Sequence, residues 1–467
     1  MKSILKTLSA VALTGVMVLP VLADDATTTT DAKDAKDLKK VVEDQGINYV
    51  ETAQKGITLS GYVDVSYTEQ FGGRGTGFGS GQALGHAFDV NNNNFNVQAV
   101  KVALEKALPD KNEWAAGFRI DTMYGADARE LGDTGFGQVS GLSNNSSGFA
   151  LEQALVKFRI PIGNGLDIYA GKFVSFLGYE VIESPANLNF SRGLLFTNAI
   201  PLTNTGVYVD YKFNDTFEAK LGIVDGWNNS ISPGGLGSGF STDTADDYPF
   251  GGKAITGQLN ITAPGKNANI CQSFIYSPSG EPNNIAVEEG GIDDGPVVVY
   301  DIWGNWNPTF VKDSALTLAF NVDLGYNGAA GEPGNASPAF GSGQGTPFGN
   351  SLDSNTWWGA ALYSSYKFNK VFTLSARGEY LHEDGAQNPK FGLEEGGIPF
   401  ENVDDFSETL TASFSIWDNL LTRIEYRYDH VVNGRTNPQP NNHGAGPNDV
   451  ATYQDQNEIS VEAVYSF

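Results

Sequence analysis

Charged residues recur at alternate positions along several extended stretches. Arg423, Glu425 and Arg427 do so in one, Arg377 and Glu379 in another, and Arg119 and Asp121 in a third, with Arg159 placed in the same way. Alternate residues of an extended chain share a face. Ionised groups of both signs on one face belong in water. Across a narrow wet passage they would set up a transverse field that sorts solutes by charge and dipole. One connecting stretch adds Glu180, Glu183 and Arg192. Together these residues are the candidate functional set, the charges of a pore constriction. Simple ion pairing that holds the connecting stretch down is the competing use of the same side chains.

Other chemistry has weaker support. His86, His382, His430 and His443 show no metal-ligand spacing. A hydrolytic pair of His382 with a serine on a neighbouring strand is the one catalytic arrangement to consider. The Gly-rich runs Gly75–Gly79 and Gly341–Gly345 are not phosphate loops, and Gly251-Gly252-Lys253-Ala254 lacks the Ser or Thr that would hold magnesium. Acidic pairs (Asp246-Asp247, Glu288-Glu289, Asp293-Asp294, Glu394-Glu395, Asp404-Asp405) suit solvated loops, and structural calcium there is the alternative. No catalysis, no catalytic metal and no cofactor is expected.

The elements that must position the charges are strands. From Ile57 the pattern has period two, with Ile57, Leu59, Val63, Val65 and Tyr67 alternating against Thr58, Ser60, Asp64 and Ser66. The last residues repeat it. Ile459, Val461, Ala463, Tyr465 and Phe467 share one face, and Glu458, Ser460, Glu462 and Ser466 the other. An apolar stripe that ends on Phe467 resembles the terminal strand of bacterial outer-membrane β-barrels. In those families the terminal aromatic strand helps the barrel assembly machinery recognise its client, which makes Tyr465 and Phe467 the expected assembly signal.

Between these ends, tiny connections alternate with long ones. Asn214-Asp215, Asn369-Lys370 and Asp418-Asn419 are short; 72–94, 126–148, 227–252, 328–354 and 434–450 are long. Compact soluble domains rarely carry many loops beyond about 12–15 residues. Short turns at one end and long loops at the other is the outer-membrane pattern. The fold class expected is all-β, a transmembrane antiparallel β-barrel of about sixteen strands. Weak patterning between Ile255 and Tyr276 leaves fourteen or eighteen open. Aromatics beside the short turns, among them Trp114, Phe213, Trp306, Phe368 and Trp417, suit an interfacial girdle.

Composition agrees. Hydrophobic residues make up 40% of the chain, yet there are 28 Phe and 19 Tyr, too many aromatics for a disordered chain. A barrel with a wet lumen accounts for the mix, because half its strand positions face water. The net charge of −26 argues against nucleic acid as a partner. The single Cys271 allows no internal disulfide. Residues 1–23 read as a secretory signal, with Lys2 and Lys6 before an apolar run and cleavage expected between Ala23 and Asp24. Residues 24–56 read as a periplasmic extension, flexible or with one short helix, and 57–467 as the barrel.

One long connection differs from the rest. From Gly178 to Leu202 it carries Leu194, Leu195, Phe196, Ile200 and Leu202, which want a surface to pack on. The inside wall of the barrel is such a surface. Within and around it, Asn187-Leu188-Asn189-Phe190-Ser191-Arg192, Thr205-Gly206-Val207, Ala170-Gly171-Lys172-Phe173 and Val224-Asp225-Gly226-Trp227 resemble the putative beta-barrel porin-2, OmpL-like family. The resemblance implies an outer-membrane porin passing small solutes or ions, surrounded by outer-membrane lipid. A homotrimer is expected only by analogy with barrels of this size. A structural or adhesive barrel that binds a partner through its long loops is the second reading.

Overall fold

The computed structural model describes residues 56–72, 86, 88–89, 93–109, 112–132, 148–227, 253–278, 296–327, 355–384, 402–434 and 452–467. The expected signal with its Ala23–Asp24 cleavage site, most of the 24–56 extension, and the acidic pairs other than Asp404-Asp405 lie outside these residues.

Sixteen antiparallel strands close into one barrel. In chain order they are β1 (Ile57–Gly72), β2 (Asn94–Lys106), β3 (Ala115–Tyr124), β4 (Phe149–Ile160), β5 (Leu166–Val174), β6 (Thr203–Lys212), β7 (Phe217–Val224) and β8 (Ala254–Thr262). Then come β9 (Ala268–Ser277), β10 (Val297–Trp306), β11 (Leu316–Asn327), β12 (Asn355–Lys367), β13 (Phe372–Asp384), β14 (Asn402–Trp417), β15 (Leu420–Gly434) and β16 (Thr452–Ser466). One helical turn, α1 (Asp127–Gly132), follows β3. The stretch of weak patterning supplies β8 and β9, so the count settles at sixteen.

Closure depends on the chain end. β1 pairs with β16 from Tyr62↔Ser466 to Gly72↔Gln456. Phe467 adds two backbone bonds beyond that ladder: its carbonyl accepts from the Gly61 amide at 3.0 Å and its amide donates to the Gly61 carbonyl at 2.9 Å. A barrel has no free edge, which is the condition for strands to sit in hydrocarbon.

The alternation divides the two faces as the sequence pattern requires. Val63, Val65, Leu362, Leu410, Ile424, Val461 and Tyr465 are exposed on the outer wall, while Asp64, Ser66, Glu425, Arg427, Ser460 and Glu462 are buried within. A ring of exposed aromatics (Trp114, Phe213, Phe217, Trp306, Phe368, Trp417 and Phe467) lies beside the short connections, where amphipathic rings meet the membrane interface.

Local chemistry sets the turns. In the β6–β7 connection, Asn214 Oδ1 accepts from the amides of Thr216 at 2.8 Å and Phe217 at 2.9 Å. In the β12–β13 connection, Asn369 Oδ1 does the same for Val371 at 2.8 Å and Phe372 at 2.9 Å. The recurring Tyr-Lys-Phe-Asn sequence is therefore one turn used twice, since asparagine readily mimics a backbone turn. The two-residue turn between β14 and β15 places Asn419 at φ +63°, a left-handed conformation that asparagine tolerates better than most residues.

Outer and inner faces should respond differently to charge. Leu362→Arg or Leu410→Arg should destabilise the barrel by roughly 2–4 kcal/mol, and Thr373→Arg on the inner face by far less. Urea unfolding in lipid vesicles measures both. Equal losses would mean the assigned faces are wrong.

Candidate functional site: a loop folded across the lumen

Residues 175–202, between β5 and β6, do not leave the barrel as an external loop. Ser175 N donates to Leu202 O at 3.0 Å and closes the neck. From there the segment follows the inner wall. Its first turn docks on β8 and β9, where Gln258 Nε2 at 2.7 Å and Ser273 Oγ at 3.0 Å donate to Phe176 O. The Tyr179 amide then donates to Asn321 Oδ1 of β11 at 2.6 Å. Tyr179 packs against Trp303 of β10 and Tyr363 of β12.

Buried backbone must be hydrogen-bonded somewhere. Wall side chains supply what an irregular loop cannot. Glu425 accepts from the amides of Phe190 at 2.6 Å and Ser191 at 3.0 Å, and from Thr411 Oγ1 at 2.6 Å. Arg423 donates to the carbonyls of Ser184 at 3.1 Å, Asn187 at 3.0 Å and Asn189 at 2.9 Å. Arg377 donates to Ser191 O at 2.6 Å and pairs with Glu180 at 2.7 Å and Glu379 at 2.7 Å. Gly193 sits against Glu379, where an added Cβ would meet Oε1 at 2.2 Å; no larger residue fits there without moving that carboxylate.

Arg192 is wholly buried, despite standing in a connection. Its guanidinium pairs with Asp127 of α1 at 2.6 Å and lies 4.9 Å from the Phe88 ring centroid. Its carbonyl is bound by His86 Nδ1 at 2.9 Å, and His86 Nε2 meets Asp429 at 3.1 Å. Burial pushes the Asp127 carboxyl up to about 6, against the opposing pull of Arg192. The return half of the loop is apolar. Leu194, Leu195, Phe196, Ala199 and Ile200 are buried, and Trp357 Nε1 of β12 donates to Ala199 O at 3.1 Å.

Most of the predicted site residues therefore meet in one network. Glu180, Arg192, Arg377, Glu379, Arg423 and Glu425 all touch the loop or the residues that hold it. Glu183 pairs with Lys101 of β2. Arg427 lies apart from the loop and binds Asp89, Asp429 at 2.9 Å and Glu458 at 2.9 Å. Arg119 and Arg159 stand elsewhere on the wall, on β3 and β4. Arg119 pairs with Glu105 at 2.8 Å and Asp121 at 2.8 Å, and Arg159 with Asp167 at 2.6 Å.

Several partners were not singled out from sequence. Lys101 and Glu462 were legible as inward positions on alternating strands, but Asp127, Asp89 and His86 lie in connections where no period marks a face. Asp121, Glu152 and Glu183 bring carboxylate oxygens within 4.8 Å of one another, a spacing that could hold a metal. The Lys101 ammonium lies among them, 2.8 Å from Glu152 and 3.2 Å from Asp121, and supplies the positive charge itself. His382 pairs with Asp404 on the outer wall at 2.7 Å rather than with a serine. Asn321 of β11 faces inward, is buried, and donates to Asp301 at 2.8 Å and Asp323 at 2.9 Å.

Comparison with known proteins adds the following. The family model described as putative beta-barrel porin-2, OmpL-like, matches residues 56–467. No curated protein matches the chain. Among solved structures, the outer-membrane channel DcaP of Acinetobacter baumannii is 12% identical with a TM-score of 0.50, covering 88% of this chain and 97% of that one. An anion-selective porin from Comamonas acidovorans is 12% identical at a TM-score of 0.49, covering 88% and 99%. Pseudomonas putida OprB is 13% identical at 0.49, covering 93% and 97%.

Removing one partner of a buried ion network strands the others. Arg377→Met should destabilise the folded barrel by about 3–5 kcal/mol, because Glu180 and Glu379 lose their shared counter-charge. The shift of the unfolding midpoint in urea measures this. A shift near zero would mean the network does not hold the loop.

Proposed function

The chain belongs to the putative beta-barrel porin-2, OmpL-like family, and from that premise we propose how its lumen works. It is an outer-membrane porin, a water-filled channel for passive diffusion of small hydrophilic solutes. Residues 175–202 are the constriction of that channel. The supporting observation is where the loop is anchored. Among the described residues, its hydrogen bonds and ion pairs to the wall reach β2, β8, β9 and β11–β16. Toward β3, β4, β6 and β7 the loop presents chiefly the Glu183 carboxylate, close to Asp121 and Glu152, and the Phe176 ring, beside Tyr208 and Lys220. Passage then runs between the loop and that remaining wall.

In this reading the predicted constriction residues divide the work. Arg377, Glu379, Arg423 and Glu425 keep the loop in place with Glu180, Glu183 and Arg192, and Arg427 stiffens the wall beside them. Arg159 stands on the wall across the passage, and Arg119 lies beside that wall, buried between Glu105 and Asp121. Their acids are beside them, so the field across the passage is one of local pairs rather than of a single sign. Family and fold support a channel without a chemical step. Outer-membrane lipid would cover the outer wall, and the barrel assembly machinery would read Tyr465 and Phe467 after export and cleavage at Ala23. Assembly as a homotrimer belongs to the same proposal. The adhesive alternative rests on long connections outside the described residues and gains no support from the lumen.

Planar-bilayer conductance tests the reading. The intact barrel should pass ions. Replacing 178–202 by a short Gly-Ser linker should raise single-channel conductance and relax ion selectivity. A folded barrel that does not conduct would overturn the channel. Equal conductance with and without the loop would place the constriction elsewhere.

A further inference from the structure

At the neck of the loop the inner wall carries an aromatic cluster. Tyr169 of β5 and Tyr208 of β6 are register partners. Their rings stack with centroids 4.5 Å apart and planes 4° from parallel. Phe173 and Phe176 meet Tyr208 edge-on at 4.6 and 4.9 Å. Phe173 is buried, whereas Tyr169, Tyr208 and Phe176 are partly exposed. Neither phenol hydroxyl bonds another described residue.

Charge around the cluster is balanced. Lys157 Nζ lies 6.0 Å from the Tyr169 centroid and is paired with Glu105. Lys220 Nζ lies 5.5 Å from the Phe176 centroid, donates to Gln258 Oε1 at 3.0 Å and has the carboxyls of Asp210 and Glu218 near it. Arg159 is held by Asp167. A wall built to hold an anion would present cations without acids beside them. This wall instead presents donors and acceptors of both kinds beside aromatic surface. Sugar rings ask for that combination. Their hydroxyls exchange hydrogen bonds with charged and phenolic groups, and their axial C–H faces lie against aromatic carbon as weak C–H donors.

We propose that Tyr169 and Tyr208, with Phe176, form a binding shelf for neutral saccharides in transit through the lumen. The proposal rests on the channel reading above and names the solute class that the passage favours. Binding is non-covalent and weak, as passage requires, because a site in a pore must also release its solute.

Maltotriose is the probe, added to single channels in potassium chloride. It should reduce the ion current of the intact protein in a saturable manner. In the double variant Tyr169→Phe/Tyr208→Phe the rings stay and two hydroxyl partners go. The half-saturating concentration should rise by roughly 5- to 50-fold, the range for losing two modest hydrogen bonds. Tyr366→Phe, on the outer wall, should leave that concentration unchanged. A barrel that carries no potassium chloride current would overturn the channel reading itself. A conducting barrel whose current ignores maltotriose would overturn only the saccharide shelf. So would block by benzoate but not by maltotriose, lost in the double variant, since the shelf would then hold aromatic anions. Block by maltotriose with the same half-saturation in the double variant would place the sugar elsewhere in the lumen.

Discussion

Backbone hydrogen bonding without water is the constraint on which this molecule depends. A strand edge in hydrocarbon leaves amides and carbonyls unpaired, each at a cost of several kcal/mol. The only relief for a sheet is closure. Here closure joins the two ends of the described chain, β1 to β16, and runs out to Phe467. Everything else follows from the cylinder this makes: an outer face that must be apolar, an inner face that need not be, and connections that can exist only at the two rims or inside.

The inserted loop meets the same constraint in a harder form. It brings irregular backbone into the lumen, where no ladder can satisfy it. The solution is to aim ionised wall side chains at the loop's own amides and carbonyls. Glu425 takes two consecutive amides, and Arg423 reaches three carbonyls. Charge-assisted bonds of this kind are roughly twice as strong as neutral ones. Arg192, Arg377 and Arg423 are in turn paired with buried acids. The return half, from Leu194 to Ile200, fills the remaining contact mostly with apolar side chains, and Asn198 and Trp357 bond its backbone. A fixed, packed loop of this sort can define a passage of constant size, which a mobile one could not.

The arrangement also explains why charge near the loop and charge on the free wall mean different things. Arg377, Arg423 and Arg427 are almost fully buried. In the proposed channel their role is positional. The groups on β3–β7 meet less of the loop, and it is there that a solute would find both ions and aromatic surface. An inward arginine is therefore not by itself a selectivity residue. What it touches decides.

The sequence by itself determined the barrel. Period-two alternation assigned Ile424, Arg423, Glu425 and Arg427 to opposite faces, because a pleated strand leaves no other choice. Alternating short and long connections placed the two rims, and the apolar run from Leu194 to Leu202 marked the one connection that had to fold inward. Only the tertiary structure decided which inward charges meet. Arg192, Asp127, His86 and Asp89 lie in connections with no period to read, and the Arg192–Asp127 and His86–Asp429 contacts span 65 and 343 residues of sequence. Arg377 and Arg159 look alike in sequence, yet one grips the loop and the other pairs with Asp167 on the neighbouring strand. That difference comes from the path of residues 175–202 around the inside of a closed cylinder. Alternation tells each strand residue which side of the wall it faces, and carries nothing about what stands opposite.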